Sequence, residues 1–572
     1  MITYFATISS AVTIRPDSVA YPERERGTAL ANEPFAFQIA MRSDDARFCP
    51  VSVQVTGAIP MRAYREEYIP VTQTMADTPG GLFPDPLSAR EAAPVIDEIP
   101  NGNPWTAGLF YREHDTKTTL NVSRAYTTAL WIDCNPRGEE LPAGEYPLTI
   151  RVLSLDDGTE LYRAVFHLTV YDAPLPAHTA YYTNWFHCDC LADTYAVVVY
   201  SERFWEIFAR WVKNAAENGM TTLLLPAFTP AFDTPVGTER MNVQLCGIAE
   251  HADGTWAFDF TRLRRYIDIA RDCGIRYFEH APLFSQWGAA HAPNIYVGDT
   301  LRFGWDTDAG GAEYGDFLRA YLCAFFRFAD ECGIRDKMVY HISDEPTEPQ
   351  LPAYRRALSQ VRELLRGEVV IDALDKVAFY RDGIVQTPVC EIRMAEAFAG
   401  AVWGEEIPPH SAMGDRQYWL YYTGGPNGNL PNRGLTQPYW KIRELGLMLY
   451  RYGANGFLHW GYNFYYDRLS QGLFSPITDP CGYKQMPGPS YLVYPAMDGG
   501  VMPSIREKEM RAAFCDLRAL WLAEERFGRN AVMAFTEKRL GTVDVRMEMA
   551  AEALWNWRDA LNEWIATGEN EQ

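Results

Sequence analysis

One unit recurs through the middle of this 572-residue chain: an amphipathic helical stretch, a glycine, then a short apolar run. "SERFWEIFARWVKNAAENG" carries Phe204, Ile207, Phe208, Trp211 and Ala215 at helical spacing, with Ser201 as its N-cap and Gly219 as its stop. "TTLLLPAF" follows as a strand. The pattern returns as "TRLRRYIDIARDCG" before "IRYFEHA", as "GDFLRAYLCAFFRFADECG" before "MVYHIS", as "AYRRALSQVRELLRG" before "EVVIDAL", and as "KIRELGLMLYRYGANG" before "FLHWGYN". "DCGIR" and "ECGIR" close two of the helices almost identically. Apolar strands joined by helices must be covered on both faces, which means a parallel α/β domain. The length of the region and the number of units predict a (β/α)8 TIM-type barrel over residues 176–503, not an open sheet. No dinucleotide or P-loop glycine pattern opens any helix, so nucleotide binding is not expected.

Residues 1–175 follow another rhythm. "FAFQIAMRS", "VSVQVTGA", "TTALWIDC" and "YPLTIRVLS" are short β-type runs separated by Pro- and Gly-bearing turns, and "DAPLPA" closes the region as a linker. This predicts an N-terminal β-sandwich. Residues 504–572 are helical in pattern and are expected to form a C-terminal helical extension packed on the barrel, so the chain reads as multidomain.

The net charge of -22 argues against nucleic-acid backbones and anionic membranes as partners, because both are bound by clustered Lys and Arg. No run approaches the ~18 uninterrupted apolar residues of a membrane span, so no membrane insertion is expected. "MITYFATISS" lacks the basic start, apolar stretch and small-residue site of a signal peptide, and the eleven cysteines follow no disulfide framework. A cytoplasmic setting is the resulting expectation.

Chemistry in a barrel gathers at the carboxyl ends of the strands. There "MVYHISDEP" sets Asp344 beside Glu345, just before Pro346. Neighbours on a strand point to opposite faces, but past the last ladder bond the alternation lapses, and both acids can reach one pocket. Two carboxyls suit glycosidic cleavage. Adjacent ones suit substrate-assisted cleavage, in which the sugar's 2-acetamido oxygen attacks, one acid protonates the leaving oxygen, and an ionised neighbour orients the acetamido nitrogen. The competing reading is an N-cap Asp followed by an exposed Glu.

Other strand ends offer candidate substrate-binding groups. "NWFHCDCLADTY" contributes Trp185, His187 and Asp189; its Cys188 and Cys190 lack the second ligand pair of a zinc site, so no metal is expected. "YFEHAPLFSQWGAAHAPN" contributes His280, Gln286, Trp287 and His291, alongside Glu279, and His280 reads equally well as a core histidine. "RQYWLYYTGG" and "FLHWGYNFYYD" contribute Tyr418, Trp419, Tyr421, Trp460, Tyr462 and Asn463. Aromatics inside barrel strands are usually core. Those that are not would give a wall for the apolar face of a sugar, in keeping with a 14% aromatic share.

"NWFHCDCLADTY", "LFSQWGAAHAPN", "YHISDEP" and "GFLHWGYNFY", in that order, resemble bacterial proteins of glycoside hydrolase family 123. "YLVYPAMDGGVMPSIREKEMRAAFCDLRAL" is similar to the end of the associated domain of unknown function 4091. The resemblance implies a (β/α)8 barrel that hydrolyses β-linked N-acetylgalactosamine from a glycan end, with retention and substrate assistance. It implies Glu345 as general acid/base and Asp344 as the group that stabilises the acetamido nitrogen, with no cofactor. The alternatives left open are a glycosidase of the same fold acting on another sugar, and a non-catalytic glycan-binding protein.

Overall fold

The computed structural model of the chain describes residues 2–43, 49–72, 80–88, 109–111, 115–122, 126–424, 430–470, 472–484 and 486–569. The N-terminal region is two sheets. One runs, in spatial order, Ile2–Ser9, Phe35–Ser43, Thr128–Cys134, Met61–Val71 and Gly81–Ser88; the other runs Arg26–Leu30, Glu160–Tyr171, Gly144–Ser154, Cys49–Thr56, Asp115–Val122 and Leu109–Tyr111. Pairing is antiparallel except between Arg26–Leu30 and Glu160–Tyr171. Every second residue faces the other sheet, as the period of a strand requires: Phe37, Ile39 and Met41 from one, Val51, Val53, Val55, Leu148, Ile150 and Val152 from the other.

Eight parallel strands then close into a barrel in chain order: β1 Tyr181–Asn184, β2 Thr222–Leu225, β3 Tyr277–His280, β4 Met338–His341, β5 Val369–Leu374, β6 Thr387–Glu391, β7 Trp419–Tyr421 and β8 Gly456–His459. The helices that follow them are α1 Glu202–Glu217, α2 Thr261–Asp272, α3 Ala312–Glu331, α4 Leu351–Val361, the single turn α5 Ala378–Arg381, α6 Ala395–Trp403, α7 Leu445–Tyr452 and α8 Ile505–Phe527. The expected N-cap of α1 is present, Ser201 Oγ accepting from the Phe204 N–H, and the five residues predicted on its apolar face are buried. Gly274 and Gly333, in the twin "CGIR" phrases, adopt φ of +108° and +64° just past α2 and α3, a conformation any Cβ would resist.

The barrel floor is aromatic. Tyr181 stacks on Trp419 with ring centroids 4.9 Å apart and meets Tyr277 at 4.4 Å. Trp419 lies so close to β8 that a Cβ on Gly456 would fall 2.3 Å from its ring. The floor is therefore sealed.

The helical tail does more than cover the barrel. α8 takes the position of the eighth barrel helix: Glu507 accepts from Asn214 on α1 at 2.9 Å. Its other contacts reach the sandwich. Arg506 Nε donates to Asp85 at 2.9 Å with both side chains fully buried, and Lys508 pairs with Asp133 at 2.8 Å. The last helix, Ala551–Thr567, joins the sandwich through Arg558 and Glu33 at 2.8 Å. The tail packs on the barrel, and charged residues along α8 also tie barrel and sandwich together.

Candidate active site

The ladder between β4 and β5 ends at Ile342, whose N–H still bonds the Ile371 carbonyl. The next amide, of Ser343, donates instead to the Asp372 side chain at 3.1 Å, and the Ser343 hydroxyl donates to the Ser285 carbonyl at 2.7 Å. The backbone then turns. Glu345 has φ +43°, a left-handed value that costs a non-glycine residue on the order of 1 kcal/mol and is held here by its surroundings. The Trp287 N–H, itself in a left-handed residue, fixes the turn by donating to the Asp344 carbonyl at 2.8 Å. By this turn two adjacent acids reach one cavity.

That cavity has a volume of about 310 Å³, at the small end of ligand-binding pockets. Asp344 and Glu345 stand on one side of it, each half-buried. Tyr421, at the end of β7, donates its hydroxyl to Glu345 Oε1 at 2.6 Å. Trp185, Trp460 and Leu458 form an apolar wall, with the Trp185 ring stacked on Phe232 at 3.8 Å. Trp287 lies at the mouth, 43% exposed. Gln286 accepts from the Asp233 N–H at 3.0 Å, while its buried Nε2 has no hydrogen-bond partner among the described residues.

Asp233, Tyr483, Lys484 and Met486 also line it, none of them marked in the sequence by a local pattern. Asp233 clasps the loop after β8 over the cavity: its carboxylate accepts from the Leu469 N–H at 2.6 Å and from the Tyr483 hydroxyl at 3.2 Å.

Beneath the acid pair lies a row of buried charge. His341 Nδ1 is 2.9 Å from Glu279 Oε1, and its Nε2 faces Asp372 at 3.5 Å; all three side chains are fully buried. Glu279 also accepts from Trp185 Nε1, at 2.9 and 3.1 Å to its two oxygens. Burial alone would lower the His341 pKa, but Asp372 and Glu279 outweigh it and push it up to about 10.

The acid pair departs from expectation in one respect. Burial, and then the neighbouring Glu345 carboxylate, push Asp344 well above the usual carboxylate range, with His341 opposing. Two adjacent carboxyls resist ionising together, so the two titrate as a pair, with Asp344 shifted upward.

Seven of the candidate residues converge on the cavity: Asp344, Glu345, Trp185, Gln286, Trp287, Tyr421 and Trp460. The others do not line it. His187 bonds the Trp460 carbonyl at 2.8 Å, and Asn463 clamps the His187 backbone through both ends of its amide. Asp189 pairs with Arg240 at 2.6 Å, both buried, so the "HCDC" stretch is ion-paired structure. His280 is a satisfied core histidine between Tyr321 and the Ala281 carbonyl, kept neutral because burial lowers its pKa to about 4. His291 sits in the loop after β3, its ring beside Trp305. Tyr418 faces outward and donates to the Tyr452 carbonyl, Trp419 is in the floor, and Tyr462 donates to Glu507. Strand period explains the misses at β7: of the three candidate aromatics Tyr418, Trp419 and Tyr421, only Tyr421 is both inward-facing and at the rim.

The family model for the glycoside hydrolase 123 catalytic domain matches residues 185–523, more than half of the chain. No curated protein matches it. Among solved structures, a family 123 glycoside hydrolase from Clostridium perfringens is similar over 99% of this chain and 97% of its own, at 13% identity and a TM-score of 0.70, which shows a shared fold. A β-glucuronidase from Bacteroides uniformis aligns over 82% of this chain and 48% of its own at 12% identity, but its TM-score of 0.31 carries no argument. With the closed barrel and the family match together, the chain belongs to glycoside hydrolase family 123 and is a glycoside hydrolase.

Proposed function

We propose that the enzyme releases terminal β-linked N-acetylgalactosamine from glycans with retention, the substrate's own 2-acetamido oxygen acting as nucleophile. The adjacency of Asp344 and Glu345 at one cavity carries this reading. Direct attack by a protein carboxylate needs two groups about 5 Å apart on either side of the scissile bond. Consecutive residues sharing one turn suit that arrangement poorly and suit an acid with an orienting partner well.

Glu345 protonates the glycosidic oxygen as the acetamido carbonyl oxygen closes on the anomeric carbon and the aglycone leaves. Asp344, as a carboxylate, accepts the acetamido N–H and balances the oxazolinium charge. Water then attacks the anomeric carbon, Glu345 takes its proton, and the acetamido group reopens; two inversions give net retention. Because Asp344 is pushed above the carboxylate range in the free pair, substrate binding is coupled to the pair's proton. An N–H donated to Asp344 favours the ionised form there, and the proton passes to Glu345, where the leaving group needs it.

The volume of the cavity supports exo action on a single terminal sugar, and Trp185 with Trp460 suits the apolar face of a pyranose. The clostridial enzyme's link to glycolipid glycan hydrolysis supports a glycoconjugate as the source of that sugar. The galacto configuration rests on the family resemblance.

Aryl β-glycosides with and without the 2-acetamido group test the proposal. Turnover confined to the 2-acetamido compounds is expected, with competitive inhibition by a thiazoline mimic of the cyclic intermediate. Asp344→Asn should slow even activated substrates, whereas Glu345→Gln should cost most with poor leaving groups. Equal turnover of both glycoside classes rules out substrate assistance, and no turnover of either rules out the activity.

A further inference from the structure

The buried row under the acid pair takes no direct part in the proposed chemistry. Glu279 on β3, His341 on β4 and Asp372 on β5 lie side by side with no solvent exposure. A neutral imidazole keeps one ring nitrogen as an acceptor, and its lone pair would be repelled by a facing carboxylate. His341 has a carboxylate oxygen against each ring nitrogen, at 2.9 and 3.5 Å, so only the doubly protonated ring suits the place.

The two acids are equally constrained. Glu279 is met by the Trp185 indole N–H, the Thr183 hydroxyl and His341. Asp372 is met by the Ser343 N–H, by the Tyr354 hydroxyl at 2.6 Å, and by the His341 ring. Every one of these neighbours can donate, which is the environment of an ionised carboxylate. Two carboxylates and one imidazolium leave one net negative charge inside the barrel. Apolar side chains would fill this space without the desolvation cost of three ions, so packing alone does not account for the row.

We infer that His341 is a positioning residue: locked between Glu279 and Asp372, it sets the charge beneath Asp344 and Glu345, and with it the pH at which that pair releases its last proton. This rests on the reading of Asp344 and Glu345 as the reacting pair. The groups that face them are few. Asp344 feels Glu345, His341, Asp372 and Glu279, and among these only His341 is cationic. Glu345 is met by Tyr421, with Glu391 behind it, and Arg393 is engaged by Glu391 at 2.9 Å on the exposed side. Asp233 and Lys484 also belong to the cavity lining. With a pKa near 10, His341 keeps its charge across the neutral range, and its influence on the pair is constant there.

Two substitutions should move the alkaline limb of kcat/KM in opposite directions. His341→Gln removes the positive charge, leaves two carboxylates below the pair, and makes its last proton harder to lose. The limb then moves to higher pH. Asp372→Asn removes a negative charge, and the limb moves to lower pH. Each shift should be roughly one to three pH units, as for one charge between about 12 and 4 Å away at an effective dielectric of about 20. A structural role would lower the rate without moving the limb. Shifts of the same sign, or none, overturn the inference.

Histidine-selective 15N labelling of the wild-type enzyme supplies a test that needs neither a variant that folds nor a substrate. One ring, missing from the His341→Gln spectrum or assigned by its downfield N–H protons, should show both nitrogens protonated from about pH 6 to 8. A neutral His341 tautomer at pH 7 overturns the inference. Failure to hydrolyse any glycoside would instead count against the proposed function and leave the ring's charge state measurable.

Discussion

Replacing Tyr421 by phenylalanine removes one hydroxyl and keeps a ring that is 3% exposed in the barrel mouth. That hydroxyl donates to Glu345 Oε1 at 2.6 Å, a short bond that is strongest when Glu345 is a carboxylate. A hydrogen bond to a charged acceptor contributes about 1.5–3 kcal/mol, equivalent to roughly one to two pKa units. The sign follows from the donor: Tyr421 favours ionised Glu345, so without it the pair holds its last proton more firmly. The alkaline limb of kcat/KM should move up by roughly one to two pH units in Tyr421→Phe. The same bond strengthens as Glu345 gives its proton to the leaving group, so kcat should fall by about 10- to 100-fold with a poor leaving group. A strongly activated aryl glycoside, which needs little protonation, should be nearly unaffected. Stability should change by less than about 1 kcal/mol, because water from the cavity can replace the donor and the ring still packs. Paired pH–rate profiles on the two substrates, with thermal unfolding as a control, decide the matter. An unmoved alkaline limb and an equal loss with both leaving groups would reduce Tyr421 to packing and refute the argument.

Three further outcomes are expected. Arg506→Met leaves Asp85 buried and unpaired where the sandwich meets α8, and should cost about 3–5 kcal/mol; an unchanged melting temperature would count against that junction. Glu66, with neither carboxylate oxygen hydrogen-bonded among the described residues, is pushed up to about 8 by burial, so the folded state binds its proton more tightly than the unfolded chain. Stability should therefore fall as pH rises from the ordinary carboxylate range to about 8, by roughly 5 kcal/mol in all, and Glu66→Gln should flatten that slope in pH-dependent melting; an unchanged slope in the variant assigns the effect elsewhere. Trp287→Ala at the cavity mouth should raise KM roughly fivefold for about 1 kcal/mol of lost stacking and leave kcat near wild type, whereas a loss confined to kcat would place Trp287 in the chemistry.

The architecture was legible because it is written in local periodicity. The apolar face of α1 from Phe204 to Ala215, its Ser201 cap, and the glycines closing α2 and α3 are each decided within a few residues of chain. Strands that are apolar on both faces, as "TTLLL" is, have no stable place except under helices, so the barrel follows from the pattern. Asp344 and Glu345 were visible for the same kind of reason: charge where an apolar strand runs out, followed by proline. Glu279, His341 and Asp372 carried a fainter version of that signal as polar residues inside the apolar runs "YFEHA", "MVYHI" and "VVIDAL". What the runs do not state is that three strands place those side chains in one row.

What the sequence determined by itself was therefore the order of the elements, their class and the position of the acid pair, because helix and strand periods and chain breaks are short-range properties. The tertiary structure decided which polar residues share a site. Barrel closure and strand period turned Tyr421 inward to Glu345 while directing Tyr418 and Tyr462 away, and loops distant in sequence brought Asp233, Tyr483 and Lys484 to the same cavity. It also decided the titration of buried groups. Asp344 and His341 are both pushed upward, the first by burial and its neighbour Glu345, the second by carboxylates on other strands, and no local stretch of chain encodes the surroundings of His341.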